Sequence, residues 1–159
     1  RNSLSVEMRD ARCEAFELVE ADPAIRVARV SGNGPCFSAG GDLGEFGSVT
    51  DPATAHAVRS LRLPAALLAR CAGRVEFHLH GACIGAGIEL PAFGRWITAA
   101  CGAFFQLPEI RFGLLPGAGG CVSIPRRIGR QRTAWMALSG ERVDVARAQE
   151  WGLVDEVVG

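Results

Sequence analysis

Two glutamates lie twenty positions apart in the sequence, and each closes a short apolar stretch. Glu89 ends the stretch that begins at His78, and Glu109 ends the one that begins at Phe104. A carboxylate is costly to bury without a partner or a task, so two of them in apolar surroundings favour acid/base chemistry in one pocket. Two separate surface carboxylates are the alternative that the residues alone leave open.

Glycine-rich loops are the second feature of the sequence that could take part in a reaction. Residues 85–87 (Gly-Ala-Gly) and 39–41 (Ala-Gly-Gly) are small enough to let a substrate carbonyl approach the main chain. Free N–H groups at the start of a helix attract an oxygen that gains negative charge, so two such loops could form an oxyanion hole. Ordinary tight turns are the alternative. A dinucleotide site is poorly supported, because Leu90 stands where the fingerprint needs its third glycine.

Composition narrows the class of protein. The chain has 159 residues and equal numbers of acidic and basic side chains, 17 of each, with no lysine among them. This length fits one domain, residues 1–159, and the neutral charge gives no support for nucleic acid or a membrane surface as a partner. No apolar stretch approaches the roughly 20 residues that a membrane-spanning helix needs. We therefore expect a soluble protein.

The cysteines and histidines argue against a metal site. None of the six cysteines is spaced as C-x-x-C, and they lie among apolar residues, which favours buried reduced thiols and hence a cytoplasmic location. His78 and His80 would share one face of a strand, but no third ligand follows at a suitable spacing. We expect no metal ion.

Periodicity predicts an α/β fold in which strands alternate with helices. The first helix should run from about Ser5 to Glu20, capped by Ser3 or Ser5. Its predicted apolar stripe consists of Leu4, Met8, Ala11, Ala15 and Leu18. Further helices are expected over 53–71 with an interruption at Pro64, from Gly85 to about Phe93, from about Cys121, and over 130–139 and 144–151. Strands are expected over 26–30, 74–80, 96–100, 103–106 and 153–158, and a mobile loop over 40–52.

Four ordered blocks of the sequence resemble the enoyl-CoA hydratase/isomerase (crotonase) superfamily. They read CFSAGGDLGEF at 36–46, HGACIGAGIEL at 80–90, LPEIRFGLLPGAGG at 107–120 and AQEWGLVDEVV at 148–158. The resemblance covers nearly the whole chain from Asn2 onward. It implies a spiral of ββα units that binds an acyl-CoA thioester, with coenzyme A as part of the substrate and no other cofactor.

The resemblance also implies roles for individual residues. The main-chain N–H groups of Gly41 and Ala86 would hold the thioester oxygen. Glu89 would help activate the water that adds to Cβ, and Glu109 would supply the proton to Cα. Substrate contacts would come from Ala39, Gly40, Asp42, Leu43, Gly85, Pro116 and Gly117, and residues 43–70 would line the acyl tunnel. The implied activity is enoyl-CoA hydratase, the syn addition of water across the 2,3 double bond.

Other members of the superfamily leave two alternatives. A Δ3,Δ2-enoyl-CoA isomerase needs one carboxylate to shuttle a proton, so the presence of two favours hydration. A non-catalytic or truncated member would bind acyl-CoA without turning it over. Complete members form trimers or hexamers through C-terminal helices. We expect this chain to lack those helices and the initial strand, and to associate weakly.

Overall fold

A computed structural model of the protein describes residues 2–42, 44, 51 and 63–159. The predicted loop over 40–52 and the first part of the predicted 53–71 helix therefore fall largely outside the described residues. The described helices are α1 (Val6–Ala21), α2 (Pro64–Cys71), α3 (Ala86–Glu89), α4 (Gly120–Ser139) and α5 (Val145–Trp151). The described strands are β1 (Ala28–Ser31), β2 (Val75–Leu79), β3 (Ala82–Ile84), β4 (Trp96–Ala100), β5 (Phe104–Gln106), β6 (Arg142–Asp144) and β7 (Glu156–Val158).

The strands form two sheets, which confirms the expected α/β class. A four-stranded parallel sheet has the order β1-β2-β4-β7, and a three-stranded sheet has the order β3-β5-β6. In the smaller sheet β3 and β5 run parallel, while β6 is antiparallel to β5. Three-residue strands carry too little alternation to be read from sequence, so β3 and β6 were missed.

The core lies on the inner face of the four-stranded sheet. Along β2, Val75, Phe77 and Leu79 are buried, whereas Glu76 and His78 point to the other face. Phe37 meets Phe77 edge to face, with ring centroids 6.3 Å apart. No helix within the described part of the chain is long and apolar enough to cross a membrane.

Helix α1 begins where predicted but buries a different face. Ser5 is the N-cap and its hydroxyl accepts the Met8 N–H. The buried residues are Cys13, Phe16 and Val19, whereas Ala11, Ala15 and Leu18 of the predicted stripe are exposed. The bulkiest side chain decides the orientation, because burying a phenylalanine removes more apolar surface from water than burying an alanine.

Two predicted helices after residue 120 form a single element. Helix α4 continues from Gly120 to Ser139, with a kink at Gly129, whose φ is 81° and ψ 163°. Pro64 does not interrupt a helix: it occupies the first turn of α2, where its missing N–H costs nothing. The predicted 85–93 helix is α-helical only over Ala86–Glu89, and a 3₁₀ turn at Pro91–Phe93 follows it.

The expectation that all six cysteines are buried needs correction. Cys101 and Cys121 are exposed, although the other four cysteines are buried and all six are free thiols. The two histidines do not act together, since the His78 ring bonds to Thr98 and the His80 ring to the Gly34 carbonyl. No group of three potential metal ligands is found among the described residues.

Candidate active site

A cavity of about 180 Å³ brings the two glutamates together. Its walls come from the start of the chain, the 40–42 loop, the beginning of α2, helix α3 and the loop before α4. The described residues that line it are Leu4, Arg9, Gly41, Asp42, Leu63, Pro64, Ala86, Glu89, Leu90, Glu109, Leu114, Leu115, Gly117 and Ala118. Most of these side chains are apolar, so charges facing the cavity are poorly screened by water.

Glu89 is held in place by the main chain of a distant loop. The side chain is only 2% exposed, and its Oε2 accepts hydrogen bonds from the N–H groups of Ala118 at 2.7 Å and Gly120 at 2.8 Å. Gly120 must lack a side chain, because a Cβ there would lie 2.6 Å from Glu89 Cγ. The Ser123 hydroxyl donates to the Glu89 carbonyl at 2.6 Å. These contacts fix one carboxylate oxygen and leave Oε1 for other partners.

Glu109 has a different environment. It begins a 3₁₀ turn, Glu109–Phe112, just after β5 and Pro108. Its Oε2 is buried and accepts no hydrogen bond from any described residue. A buried polar atom without a partner calls for an explanation, and a role in chemistry is one of the recognised reasons.

Gly85 brings the two carboxyl groups together. With φ 51° and ψ −121° it adopts a conformation that residues with a side chain avoid. A Cβ at this position would collide with Glu109 Oε1 and would lie 4.0 Å from Glu89 Oε1. Both Oε1 atoms therefore lie close to Gly85, and a side chain at this position would displace Glu109.

Burial raises the pKa of both carboxyl groups. Burial is the main reason that the pKa of Glu89 rises to about 7, and the Glu109 charge raises it further, while the Gly120 and Ala118 N–H groups oppose the rise. Burial also raises the pKa of Glu109, opposed by its own N–H. Two neighbouring carboxyls of this kind titrate as a pair and can share a proton near neutral pH.

The predicted oxyanion residues Gly41 and Ala86 both line the cavity. Gly41 pairs with Leu4 through an isolated parallel bridge, in which the Leu4 N–H donates to the Gly40 carbonyl at 2.8 Å. Ala86 is the first residue of α3. Because α3 has only four α-helical residues, any attraction for an oxyanion depends on the local N–H groups more than on a helix dipole.

The remaining predicted substrate contacts divide into three groups. Asp42 and Gly117 line the cavity. Ala39, Gly40, Gly85 and Pro116 lie in the same loops but do not line it. Leu43 lies outside the described residues, as do residues 45–50 and 52–62 of the predicted acyl tunnel. Of the described residues in this stretch, Leu63 and Pro64 line the cavity, and residues 44, 51 and 65–70 do not.

Sequence reasoning missed the residues that support the site. The N–H donors to Glu89 come from positions 29 and 31 residues further along the chain. Neither Ala118 nor Gly120 has a side chain that could reveal such a role. Ser38 and Asn2 were also missed, although both bond to the loop that carries Gly41.

Comparison with known proteins decides the family. The family model described as enoyl-CoA hydratase/isomerase matches residues 1–159. The chain belongs to the enoyl-CoA hydratase/isomerase family. Among solved structures of this family, an enoyl-CoA hydratase from Thermoplasma volcanium GSS1 superposes with a TM-score of 0.87 at 34% identity, covering 98% of this chain and 62% of that one.

Two curated family members from Escherichia coli (strain K12) differ in their named activity. The 2,3-dehydroadipyl-CoA hydratase is 34% identical over 157 residues, and the 1,2-epoxyphenylacetyl-CoA isomerase is 34% identical over 161 residues. Each alignment covers 99% of this chain but only 61% and 62% of the respective relative. The chain thus spans about three fifths of the length of these family members.

Proposed function

We propose that the complete protein is an enoyl-CoA hydratase that adds water across the 2,3 double bond of a 2-enoyl-CoA thioester. The observation that carries this proposal is the pair Glu89 and Glu109, which line one cavity and whose Oε1 atoms both lie near Gly85. Hydration needs one group to take a proton from water and another to give a proton to Cα. Two carboxyls with raised pKa values can supply both.

In this mechanism the carboxyls have unequal tasks. Glu89 keeps Oε2 bonded to two main-chain N–H groups, which oppose the rise of its pKa to about 7 and leave Oε1 to accept a proton from the water. Glu109 has a buried oxygen that accepts no hydrogen bond from any described residue, and burial raises its pKa as it does that of Glu89, so Glu109 can hold the proton that moves to Cα. The new C–O bond forms at Cβ as the Cα–H bond forms on the same face.

The main chain supports the charge that develops on the thioester. As water adds to the conjugated double bond, negative charge moves onto the thioester oxygen. We propose that the Gly41 and Ala86 N–H groups donate to that oxygen. An oxyanion donor of this kind typically contributes around 3 kcal/mol to lowering the barrier. Coenzyme A enters with the substrate, so this reaction uses no separate cofactor.

Hydration can be tested directly on the complete protein. Crotonyl-CoA in ¹⁸O-labelled water should give 3-hydroxybutyryl-CoA with the label at C3. The variants Glu89→Gln and Glu109→Gln should lose this activity, while Glu156→Gln, which changes an exposed glutamate on β7, should retain it.

A second substrate distinguishes hydration from the main alternative, isomerisation. Isomerisation of a 3-enoyl-CoA is the competing activity, because it needs only one of the two carboxylates to shuttle a proton. A 3-enoyl-CoA that is converted to the 2-enoyl isomer, with no ¹⁸O incorporation from crotonyl-CoA, would assign the protein to isomerisation instead. Binding of acyl-CoA without either conversion would leave a non-catalytic binder.

A further inference from the structure

We infer that Asn2 and Ser38 are positioning residues that fix the separation of the two proposed oxyanion donors. The inference rests on the proposed function, because it assigns a purpose to the spacing between the Gly41 and Ala86 N–H groups. Neither side chain lines the cavity, so neither is expected to touch the substrate. Their effect would be exerted through the loop that carries Gly41.

Asn2 holds the turn that leads into this loop. Its side-chain amide donates to three main-chain carbonyls, those of Asn33 at 2.7 Å, Cys36 at 3.0 Å and Phe37 at 3.1 Å. One NH₂ group has two hydrogens, so at least one of them is shared between two carbonyls. Asn2 reaches this position with a φ of 51°, a conformation uncommon outside glycine. The Asn2 side chain thus binds three main-chain carbonyls within residues 33–37.

Ser38 connects Asn2 to Gly40, the residue before the proposed donor Gly41. The side chain is fully buried, and its hydroxyl donates to the Asn2 carbonyl at 2.7 Å and accepts the Gly40 N–H at 3.3 Å. The Leu4 N–H bonds to the Gly40 carbonyl at 2.8 Å. Gly40, the residue immediately before Gly41, is therefore held through its N–H by Ser38 and through its carbonyl by Leu4.

The same serine contacts the second donor loop. Its N–H donates to the Ala82 carbonyl and its carbonyl accepts the Ile84 N–H, both at 3.1 Å. Next to Ala86, Gly87 packs directly on Ser38: a Cβ on this glycine would lie 2.9 Å from both the Cβ and the carbonyl oxygen of Ser38. Ser38 is consequently the residue through which the Gly41 loop and the start of α3 are held against each other.

Such a residue should act on the transition state more than on binding. Hydrogen bonds to an oxyanion are most effective when the donors are already aimed at the position that the charged oxygen will occupy. A small displacement of one donor weakens that contact selectively, and a 1 Å misplacement can cost up to about 10²-fold in rate. We therefore expect loss of the Ser38 hydroxyl to lower kcat while leaving KM nearly unchanged.

The test uses three variants of the complete protein and two readouts. Ser38→Ala removes the hydroxyl, Asn2→Asp keeps the shape but removes the amide donors, and Gly87→Ala forces the two loops apart. Thr133→Ala is the matched control, because Thr133 is also a buried hydroxyl, donating to the Gly129 carbonyl at 2.8 Å, and does not line the cavity. The readouts are steady-state hydration of crotonyl-CoA and the absorption maximum of a bound aromatic enoyl-CoA, which moves to longer wavelength when the thioester carbonyl is polarised.

The expected result is a fall in kcat of roughly 10-fold to 100-fold in the three variants, with a smaller wavelength shift of the bound thioester. Thr133→Ala should match the unmodified protein in both readouts. The wavelength shift is measured on folded, ligand-saturated protein, so a variant that is merely less stable would still show the full shift. If Ser38→Ala fails to fold, Asn2→Asp and Gly87→Ala decide the question by the same readouts.

Two contrary outcomes are distinguishable. The positioning role would be overturned if folded Ser38→Ala showed a full wavelength shift and an unchanged kcat while the unmodified protein is active. If Ser38→Ala does not fold, the same result in Asn2→Asp and Gly87→Ala would overturn it. In either case the proposed function would remain intact. An unmodified protein that neither hydrates crotonyl-CoA nor polarises the bound thioester would overturn both.

Discussion

The two glutamates follow neighbouring strands of the same small sheet, yet the protein holds them in opposite ways. Glu89 is 2% exposed, and one of its oxygens accepts two main-chain N–H groups. Glu109 is only partly buried and keeps one buried oxygen that accepts no hydrogen bond from any described residue. The difference shows how one fold can give two identical side chains different chemistry: a fixed carboxylate suits a base, and an unsatisfied one suits a group that passes a proton.

Removing either carboxylate should have the largest effect. We expect Glu89→Gln and Glu109→Gln each to lower kcat for hydration by about 10²-fold or more, because general acid/base groups contribute 10² to 10⁴. Steady-state kinetics on the complete protein measures this. Loss of hydration in only one of the two variants would show that the pair does not act together, and isomerisation would then be the better assignment.

The second-largest effect on kcat is expected from disturbing the relative position of the two carboxyl groups. Gly85→Ala adds a Cβ that collides with Glu109 Oε1, at a backbone conformation that alanine adopts only with strain. We expect kcat to fall by up to about 10²-fold, because the misplaced carboxyl no longer meets the water. Gly73→Ala is the control, since a Cβ there meets nothing within 4 Å. Normal turnover in a folded Gly85→Ala protein would contradict the shared position of the two Oε1 atoms.

The pH dependence of stability should distinguish the two glutamates without any substrate. The Glu89 pKa is about 7 in the folded protein, against an ordinary value of 4.5. Between these values the unfolded chain has released a proton that the folded protein keeps, so the free energy of unfolding should decrease as pH rises from about 4.5 to about 7. At roughly 1.4 kcal/mol for each pKa unit, the decrease is on the order of 3 kcal/mol.

Denaturant titrations at several pH values test this expectation. Glu89→Gln should flatten most of the dependence between pH 4.5 and 7, whereas Glu156→Gln should leave it unchanged. An identical pH dependence in Glu89→Gln and the unmodified protein would show that Glu89 is ionised in the folded state with an ordinary pKa.

The smallest effect is expected from removing the hydrogen bond to the main-chain carbonyl of Glu89. Ser123→Ala removes the hydroxyl that donates to the Glu89 carbonyl and leaves both carboxylate contacts in place. We expect the free energy of unfolding to fall by about 1 kcal/mol, with kcat changed by less than a few-fold. Chemical denaturation checks the first and steady-state kinetics the second. A large loss of kcat would show that the fixed position of Glu89 depends on this bond as well.

The sequence indicated the two glutamates that line the cavity, but not the residues that hold them in place. Each glutamate follows a glycine or proline turn after an apolar run. This local pattern indicates that a carboxylate lies just beyond the end of a strand. The N–H groups that hold Glu89 belong to residues without functional side chains, and their approach depends on tertiary packing that no local pattern encodes. The same holds for Asn2, which reaches carbonyls more than 30 residues away.

The fold shows the same division between local and distant information. The helix start at Ser5 was predictable because an N-cap is a local device. The buried face of α1 was not, since it is decided by what Phe16 packs against. Strands β3 and β6, three residues each, exist through their pairing with β5 and have little signal of their own.

The order of strands in both sheets has a consequence for how the protein is made. Along the larger sheet the order is β1, β2, β4, β7, and along the smaller it is β3, β5, β6, which is also their order along the chain. Among the described strands, each one synthesised later therefore adds to an edge that already exists and does not insert between two strands already paired. Strand order alone thus allows both sheets to grow in one direction during synthesis, while the N–H groups that hold Glu89 arrive only with residues 118 and 120.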